Sequence, residues 1–252
     1  MIDIHSHIVY GVDDGAPALE ESLAMVRMAA EHGTTDIVAT PHASPDFAFE
    51  PELNQKRLAE IATAADGVLR LHSGCDFHLS FDNIQDALEH PTKYTIDHKN
   101  YLMVEFSDFL IFHNTAEIFE RLQGAGMIPV ITHPERNDLL RHRREKIAEW
   151  VEAGARVQVT GQSLTGRFGK RAAAFSRELL DQNLVHVIAS DGHDCVHRPP
   201  VLDEAFTWLS ENYSEATATL LCKTNPGAAL TGEPMYAPDG KAVSKGWRKL
   251  FG

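Results

Sequence analysis

Cysteine and long apolar runs are both scarce in this chain of 252 residues. Its three cysteines, Cys75, Cys195 and Cys222, form an odd set without Cys-x-x-Cys spacing, which predicts reduced thiols rather than a disulfide framework. No apolar stretch approaches the roughly 18 residues that a membrane span requires, and the first residues lack the basic and apolar segments of a secretory signal. We therefore expect a cytoplasmic protein with no stable membrane insertion.

Positive charge is also scarce, since 23 lysines and arginines stand against 36 aspartates and glutamates and leave a formal net charge of −13. Nucleic acid is therefore not expected as a partner, because a phosphate backbone needs a basic face. A chain of this length with 43% hydrophobic residues can bury one large core. No repeat or linker-like segment is visible in the sequence, so we predict a single domain over residues 1–252, with a basic and aromatic surface tail from about Ala237.

Residues typical of metal ligands follow nearly every predicted strand. The first strand carries His5 and leads to His7, with Asp14 in the turn behind it. Further strands are predicted over residues 35–40, 68–74, 101–104, 127–132, 155–160 and 184–190. The strand at 155–160 ends in amides and hydroxyls only, whereas the others lead into His42, Asp76, Glu105, His133, and Asp191 with His193. Any one of these residues alone could simply be the capping residue of a loop. Because such residues recur at the ends of six strands, the sequence predicts that they share a metal site.

Helical patterns alternate with these strands, over residues 18–32, 51–66, 115–125, 144–153, 166–183 and 201–212. Such alternation implies a parallel sheet covered by helices. An open doubly wound sheet would concentrate function at one switch point, whereas a barrel gathers residues from all its strand ends. We therefore predict an α/β protein, a (β/α) barrel of seven or eight units.

Two arginines lie on loops at the same predicted face. Arg136 comes three residues after His133, and Arg198 comes five residues after His193. A planar guanidinium there suits a bidentate grip on a phosphoryl group, although either arginine could instead pair with a neighbouring carboxylate. Divalent ions bound to the acidic cluster would leave the pocket locally positive, so a small phosphorylated substrate is compatible with the negative net charge.

The chain resembles the PHP (polymerase and histidinol phosphatase) superfamily from Met1 to about Pro200. More narrowly, it resembles the bacterial manganese-dependent protein-tyrosine phosphatases of capsule and exopolysaccharide gene clusters. The motifs that carry this resemblance are His5-Ser6-His7, Asp13-Asp14-Gly15, Pro41-His42, Glu105-Phe106-Ser107, Thr132-His133-Pro134-Glu135-Arg136, Ala189-Ser190-Asp191-Gly192-His193 and Arg198-Pro199-Pro200.

The resemblance implies a distorted (β/α)7 TIM-like barrel, the PHP fold, with three divalent metals. One metal would take His5, His7, Asp76 and Asp191, a second would share Asp76 and add Glu105 and His133, and the third would take Asp14, His42 and His193. Arg136 and Arg198 match the family's phosphate-contacting arginines. The implied substrate is a phosphotyrosine protein, the tail of a cognate bacterial tyrosine kinase.

Asp76 stands where the family usually has glutamate, which is longer by one methylene. Either the backbone moves inward, which Gly74 would permit, and Asp76 bridges two metals, or Asp76 binds one metal only. We predict bridging. The segment from His78 to His90 also departs from the family pattern, and His78 is a candidate for a substrate contact.

Carboxylate and imidazole ligands without thiolate suit Mn²⁺, Fe²⁺ or Zn²⁺, and the resemblance favours two to three Mn²⁺ per chain. Metals roughly 3.5–4 Å apart can hold a bridging hydroxide for in-line attack on a phosphomonoester. No cysteine is followed six positions later by arginine, so the Cys-x5-Arg loop of thiol phosphatases is absent from the sequence. A small-molecule phosphatase, such as a histidinol-phosphate phosphatase, and a non-catalytic metal-binding module are the alternatives.

Other polar residues near these motifs are expected to have structural roles. Asp13 and Glu135 are predicted to shape turns or to orient ligands. His186 alternates within a buried strand, which predicts a core histidine. Six further histidines away from strand ends are expected at the surface or in the framework: His72, His90, His98, His113, His142 and His197.

Overall fold

The computed structural model describes residues 1–238, in which parallel strands and helices alternate. The strands are β1 (Ile2–Ser6), β2 (Asp36–Ala39), β3 (His42–Ala43), β4 (Arg70–Ser73), β5 (Asp76–His78), β6 (Tyr101–Glu105), β7 (Ile128–Ile131), β8 (Arg156–Thr160) and β9 (Val187–Ala189). The predicted basic and aromatic tail lies outside the described residues, apart from Ala237 and Pro238.

The α-helices are α1 (Leu19–Glu31), α2 (Pro51–Ala64), α3 (Phe81–Glu89), α4 (Thr115–Gly124), α5 (Asp138–Arg141), α6 (Arg144–Glu152), α7 (Gly161–Leu164), α8 (Gly169–Asp181), α9 (Asp203–Asn212), α10 (Glu215–Thr219) and α11 (Asn225–Thr231). A 3₁₀ turn covers Ile96–His98, and a π-helical turn covers Leu220–Thr224 between α10 and α11. None of the helices described is long and apolar enough to cross a membrane.

The strands form a curled parallel sheet with seven positions, because the two strands predicted at residues 35–40 and 68–74 are each followed, after a short break, by a second short strand. One sheet has the order β1-β2-β4, and the other has the order β3-β5-β6-β7-β8-β9. The break at Thr40–Pro41 separates β2 from β3, and the break at Gly74–Cys75 separates β4 from β5. Each half pairs with the matching half of its neighbour, so β2 with β3 and β4 with β5 fill single positions in the circle.

Backbone contacts between the first and last strands close the circle. The N–H of Asp191 donates to the carbonyl of His5 at 2.9 Å, and the N–H of His7 donates to that of Gly192 at 2.8 Å. A parallel bridge joins Ser6 to Gly192. The predicted barrel is therefore confirmed, with all strand ends directed to one rim.

Apolar side chains fill the barrel below that rim. Ile4, Tyr101, Met103, Val130 and Val187 are fully buried in one cluster, where each large apolar side chain contributes roughly 1.5–3 kcal/mol. The segment after α11 covers the opposite end, because the Tyr101 hydroxyl donates to the carbonyl of Glu233 at 2.8 Å and accepts from the N–H of Met235 at 3.0 Å. This apolar cluster therefore lies below the rim at the carboxyl ends of the strands.

Candidate metal centre

The rim brings together all nine of the predicted metal ligands. Their donor atoms form four overlapping groups, and within each group the atoms lie within 4.8 Å of one another. The groups are His7, Asp14, His42 and His193; His5, His7 and Asp76; His5, His133 and Asp191; and His42, Asp76 and Glu105. Side chains from six of the seven positions in the circle therefore converge on one cluster.

Asp76 lies at the centre of this cluster. Its Oδ2 is 3.4 Å from His5 Nε2 and 3.4 Å from His42 Nδ1, and it is 4.0 Å from both His7 Nε2 and His133 Nε2. Asp76 is fully buried, yet neither carboxylate oxygen has a hydrogen-bond partner among residues 1–238. A buried carboxylate without hydrogen bonds is costly unless a cation accompanies it, and the donor set around Asp76 fits a divalent metal.

The close approach of two broken strands places Asp76 there. Asp76 opens β5 and is the register partner of His42, which opens β3, and its N–H donates to the carbonyl of Pro41 at 3.1 Å. A Cβ atom at Gly74 would lie 2.8 Å from Val38 Cγ1, so a larger residue would push the two strands apart. Gly74 thus permits the close approach of β2 and the segment that leads to Asp76.

A second group surrounds Asp14, which stands in the loop after β1. Its Oδ1 is 3.3 Å from His42 Nε2 and 3.4 Å from His193 Nε2. The other ring nitrogen of His42 faces Asp76 and, at 3.6 Å, Glu105 Oε2. His42 therefore lies between two groups of ligands and can serve only one of them with each nitrogen.

Two candidate ligands have left-handed backbone conformations. His133, after β7, has φ of 30°, and Asp191, after β9, has φ of 53°. Such angles are uncommon for residues other than glycine and are concentrated at functional sites. At both positions the chain turns sharply at the end of its strand, and the side chain is directed into the cluster.

Gln158 contacts two candidate ligands, and sequence reasoning missed it. It lies within β8, the strand predicted to supply no ligand, and it is fully buried. Its Oε1 is 3.1 Å from His5 Nδ1 and accepts from the N–H of His133 at 3.2 Å. An acceptor at Nδ1 fixes the His5 tautomer that leaves Nε2 free for a metal. The one signal in the sequence that could have indicated this role is a polar residue between the apolar residues of a predicted strand.

Asp13 orients the ligands of the first loop, as predicted. Its Oδ2 is 2.8 Å from His7 Nδ1 and accepts from the N–H of His42 at 3.1 Å, and its Oδ1 accepts from Gly15. Glu135 is also structural, because it is buried and accepts hydrogen bonds from Thr160 and Ser163.

Of the other histidines, His186 is a core residue, as predicted, since it is buried and burial lowers its pKa to about 3. His78 lies at the site, with Nδ1 3.6 Å from Glu105 Oε2.

The protein's own charges perturb the titration of the clustered imidazoles. Burial opposes protonation of His5, but the carboxylates of Asp76 and Asp191 outweigh it and raise the pKa of His5 to about 9. The pKa of His42 rises to about 10, because Asp14, Asp76 and Glu105 outweigh burial in the same way. In contrast, burial lowers the pKa of His133 to about 3. Protons at His5 and His42 therefore compete with any cation for the same nitrogens.

Both predicted arginines reach the rim and contact the same carboxylate. Arg136 and Arg198 each donate to Asp191 Oδ2, and their side chains remain 25% and 23% exposed. The Arg136 guanidinium also lies over the Phe168 ring, 4.5 Å from its centroid. Two guanidinium groups are therefore fixed beside the cluster with part of their surface open to an incoming anion.

An aromatic groove of about 350 Å³ lies next to the cluster. His42 and Glu105 line it on the inner side, and Phe47, Phe106 and Phe109 line it farther out. Phe47 stacks on the His42 ring with 5.7 Å between centroids, and Phe109 is 94% exposed. The groove can accept a flat apolar group attached to an anion at the cluster.

Sequence comparisons identify close relatives. The chain is 34% identical over 210 residues to the putative tyrosine-protein phosphatase CapC of Staphylococcus aureus, with 82% of each chain covered. It is 32% identical over 261 residues to the tyrosine-protein phosphatase YwqE of Bacillus subtilis, with 100% of this chain and 99% of YwqE covered.

Solved structures give the same relationship. A chain from the crystal structures of YwqE from Bacillus subtilis and CpsB from Streptococcus pneumoniae, described as unique metal-dependent tyrosine phosphatases, superimposes with a TM-score of 0.88 at 30% identity. The superposition covers 97% of this chain and 100% of that chain. The lactonase Lmo2620 of Listeria monocytogenes, 12% identical with a TM-score of 0.56, covering 92% of this chain and 91% of its own, shares the fold alone. The family model for capsular polysaccharide synthesis, CpsB/CapC, matches residues 1–231, and the chain belongs to this family.

Proposed function

We propose that this chain is a metal-dependent phosphatase that hydrolyses phosphotyrosine on a protein partner in capsular polysaccharide synthesis. The observation that carries the proposal is the fully buried Asp76, whose two oxygens lack hydrogen-bond partners within residues 1–238 while four imidazoles surround it. Relatives that match over most of their length are named tyrosine-protein phosphatases. The partner proposed is a cognate tyrosine kinase with a phosphorylated tail, and the reaction is proposed to occur in the cytoplasm.

The donor set supports a centre of two to three divalent metals. His5, His7, Asp76 and Asp191 would hold one metal, Asp76, Glu105 and His133 a second, and Asp14, His42 and His193 a third. The donor atoms also group in two other ways, His133 with His5 and Asp191, and Glu105 with His42 and Asp76. Nitrogen and carboxylate donors suit Mn²⁺, with Fe²⁺ and Zn²⁺ as alternatives. Asp76 Oδ2 lies 3.4 Å from His5 Nε2 and 4.0 Å from His133 Nε2, the nitrogens assigned to the first and second metals, which supports the bridging role proposed for it. A structure solved with Mn²⁺ tests this, because Asp76 should bond to two ions at about 2.0–2.2 Å.

When bound, the metals supply Lewis-acid polarisation of the phosphoryl group and a nucleophilic oxygen at neutral pH. The chain's own residues bind the phosphoryl group and orient the metal ligands. Arg136 and Arg198 bind the phosphoryl oxygens and stabilise the charge that develops on them. Gln158 and Asp13 hold the imidazoles in the orientation that the metals require.

The aromatic groove supports a tyrosine rather than an alkyl ester. Phe47 and Phe109 can stack against a phenyl ring whose phosphate lies at the cluster, and such ring pairs contribute about 0.5–1.5 kcal/mol. The leaving phenol has a pKa near 10, so it needs less acid assistance than an alkyl alcohol. A histidinol-phosphate phosphatase is the alternative that the sequence leaves open. It is not favoured, because the relatives are named tyrosine-protein phosphatases.

The test compares two phosphate esters on one preparation. Protein stripped with a chelator and reloaded with Mn²⁺ should release phosphate from a phosphotyrosine peptide much faster than from histidinol phosphate, and elemental analysis should find two to three metals per chain. His5→Ala and Asp191→Ala should each abolish the activity, whereas Cys195→Ala should retain it. Faster hydrolysis of histidinol phosphate, or a protein that retains only stray metal, would overturn the proposal.

A further inference from the structure

A second cavity, of about 460 Å³, lies on the outer side of Arg136. Arg136, Arg141, Lys170 and Arg171 line it together with Phe168, and we call it the basic cavity. Four cations around one cavity stand out in a chain whose formal net charge is −13. The cavity is therefore a local exception to the negative character of the molecule.

Two of these cations are free to bind a ligand. Lys170 and Arg171 are exposed, and neither forms an ion pair within the part of the chain that the structure describes. They also occupy the first turn of α8, which reads Gly-Lys-Arg-Ala. Cations near a helix N-terminus are unfavourable for the helix, so helix stability gives no reason for their position.

The other two cations are held in place by the framework. Arg141 donates to the carbonyl of Glu135 at 2.9 Å and pairs with Asp138. Arg136 is fixed between Asp191 and the Phe168 ring. The basic cavity thus combines two anchored arginines with one lysine and one arginine that remain available to bind an anion.

Arg136 connects the basic cavity to the metal centre. The same arginine lines a smaller cavity of about 110 Å³ whose wall includes Glu105 and His133. A phosphoryl group at the cluster and an anionic group in the basic cavity would therefore lie on two sides of one guanidinium. An extended peptide advances about 3.3–3.6 Å per residue, so a side chain close to the phosphotyrosine in sequence can reach this cavity.

We propose that the basic cavity binds an acidic side chain of the substrate, located within a few residues of the phosphotyrosine. This inference rests on the proposed function and adds a sequence preference to it. Lys170 and Arg171 are the specificity-determining residues, because Arg136 and Arg141 already have partners. Their contribution is electrostatic and exposed, so it should weaken as salt screens it.

The experiment uses two phosphotyrosine peptides that differ only in their neighbours, glutamate in one and glutamine in the other. With the Mn²⁺-loaded protein, the glutamate peptide should have a KM about five times lower at similar kcat, the effect expected of one or two exposed ion pairs. The double variant Lys170→Glu/Arg171→Glu should abolish or reverse this preference. The matched control Arg27→Glu/Lys56→Glu makes the same charge change on α1 and α2 and should retain it.

The outcomes separate the two proposals. If neither peptide is hydrolysed, the phosphotyrosine activity itself is wrong and the preference falls with it. If both peptides are hydrolysed with equal KM, the inference alone is overturned. It is overturned as well if the control variant loses the preference as fully as the α8 variant, because net charge rather than the basic cavity would then be responsible.

Discussion

Arg136 makes two contacts, and borders two cavities, in ways that depend on the shape of its guanidinium. Its guanidinium contacts the Asp191 carboxylate, lies over the Phe168 ring, and lines cavities on both sides. Lysine carries the same charge but lacks the planar fork that grips two oxygens at once. Geometry and charge can therefore be separated by substitution.

Arg136→Ala should lower kcat on a phosphotyrosine peptide by about 10²-fold or more, the scale of losing one group that stabilises transition-state charge. Arg136→Lys should recover little of this loss. Steady-state kinetics with saturating Mn²⁺ measure both variants, and Arg27→Ala on the surface of α1 is the control. Wild-type kcat in Arg136→Ala would make this arginine a structural residue only.

The sequence pattern predicted the nine candidate ligands but not the role of Gln158. The nine candidate ligands were predictable because imidazoles and carboxylates recur where strands end, and the structure brings all of them together. Gln158 precedes the end of β8, carries no charge, and acts through His5 and His133. Its role depends on which neighbours the closed barrel places beside it, and a strand read by itself does not give them.

Gln158→Leu should weaken Mn²⁺ binding by about 10–100-fold, the usual effect of removing a group that orients a metal ligand. Gln158→Glu keeps an acceptor oxygen for His5 Nδ1 and should retain more affinity than leucine does. Calorimetric titration of chelator-stripped protein measures this without relying on activity. Gln55→Leu, an exposed change on α2, is the control, and equal affinity in both leucine variants would refute the role of Gln158.

At the scale of elements, periodicity predicted most of the barrel. The six predicted helices are confirmed, for example residues 18–32 as α1 and 51–66 as α2, and each predicted strand has a counterpart. The continuations β3 and β5 were not predicted, because periodicity within one segment does not show that a strand resumes after a break. Helix α3 was also missed, although Ser80 caps it by accepting from the N–H of Asn83.

Gly74→Ala should disturb the break that admits Asp76 to the cluster. The added Cβ would meet Val38 Cγ1 at 2.8 Å, and overpacking of this kind costs about 1–3 kcal/mol. A lower Tm, by roughly 2–12 °C for a chain of this size, should accompany a lower metal content. Gly124→Ala is the control, because no atom of residues 1–238 lies within 4 Å of its added Cβ and alanine suits its place in α4, so its Tm should not fall below that of the wild type. Equal Tm and metal content in the two variants would contradict this account of Gly74.

At the scale of the whole molecule, the candidate metal centre lies where the two ends of the sheet meet. His5 comes from the first strand, Asp191 from the loop after the last one, and their side chains lie 3.5 Å apart in the cluster. A cation held by both adds a bond across the closure that main-chain hydrogen bonds otherwise provide. Metal binding and barrel stability should therefore be linked.

Mn²⁺ at about 100 times its Kd should stabilise the fold by about 2.7 kcal/mol, which corresponds to roughly 5–11 °C in Tm. The size of this shift should depend on pH. Because the pKa values of His5 and His42 are raised to about 9 and about 10, their protonated pairs stabilise the metal-free protein fully below the unfolded pKa of about 6.5. That contribution declines as the pH rises through the folded values.

The affinity for metal rises as the pH rises, because a metal must displace the same protons from His5 and His42. The difference in Tm between Mn²⁺-loaded and metal-free protein should therefore grow from pH 6.5 to pH 8.5, measured by scanning fluorimetry at fixed free Mn²⁺. His186→Gln is a suitable control, because His186 has a pKa of about 3 and is neutral throughout this range. A difference that stays constant or shrinks would mean that imidazole protons do not compete with the metal, and that the carboxylates dominate its binding.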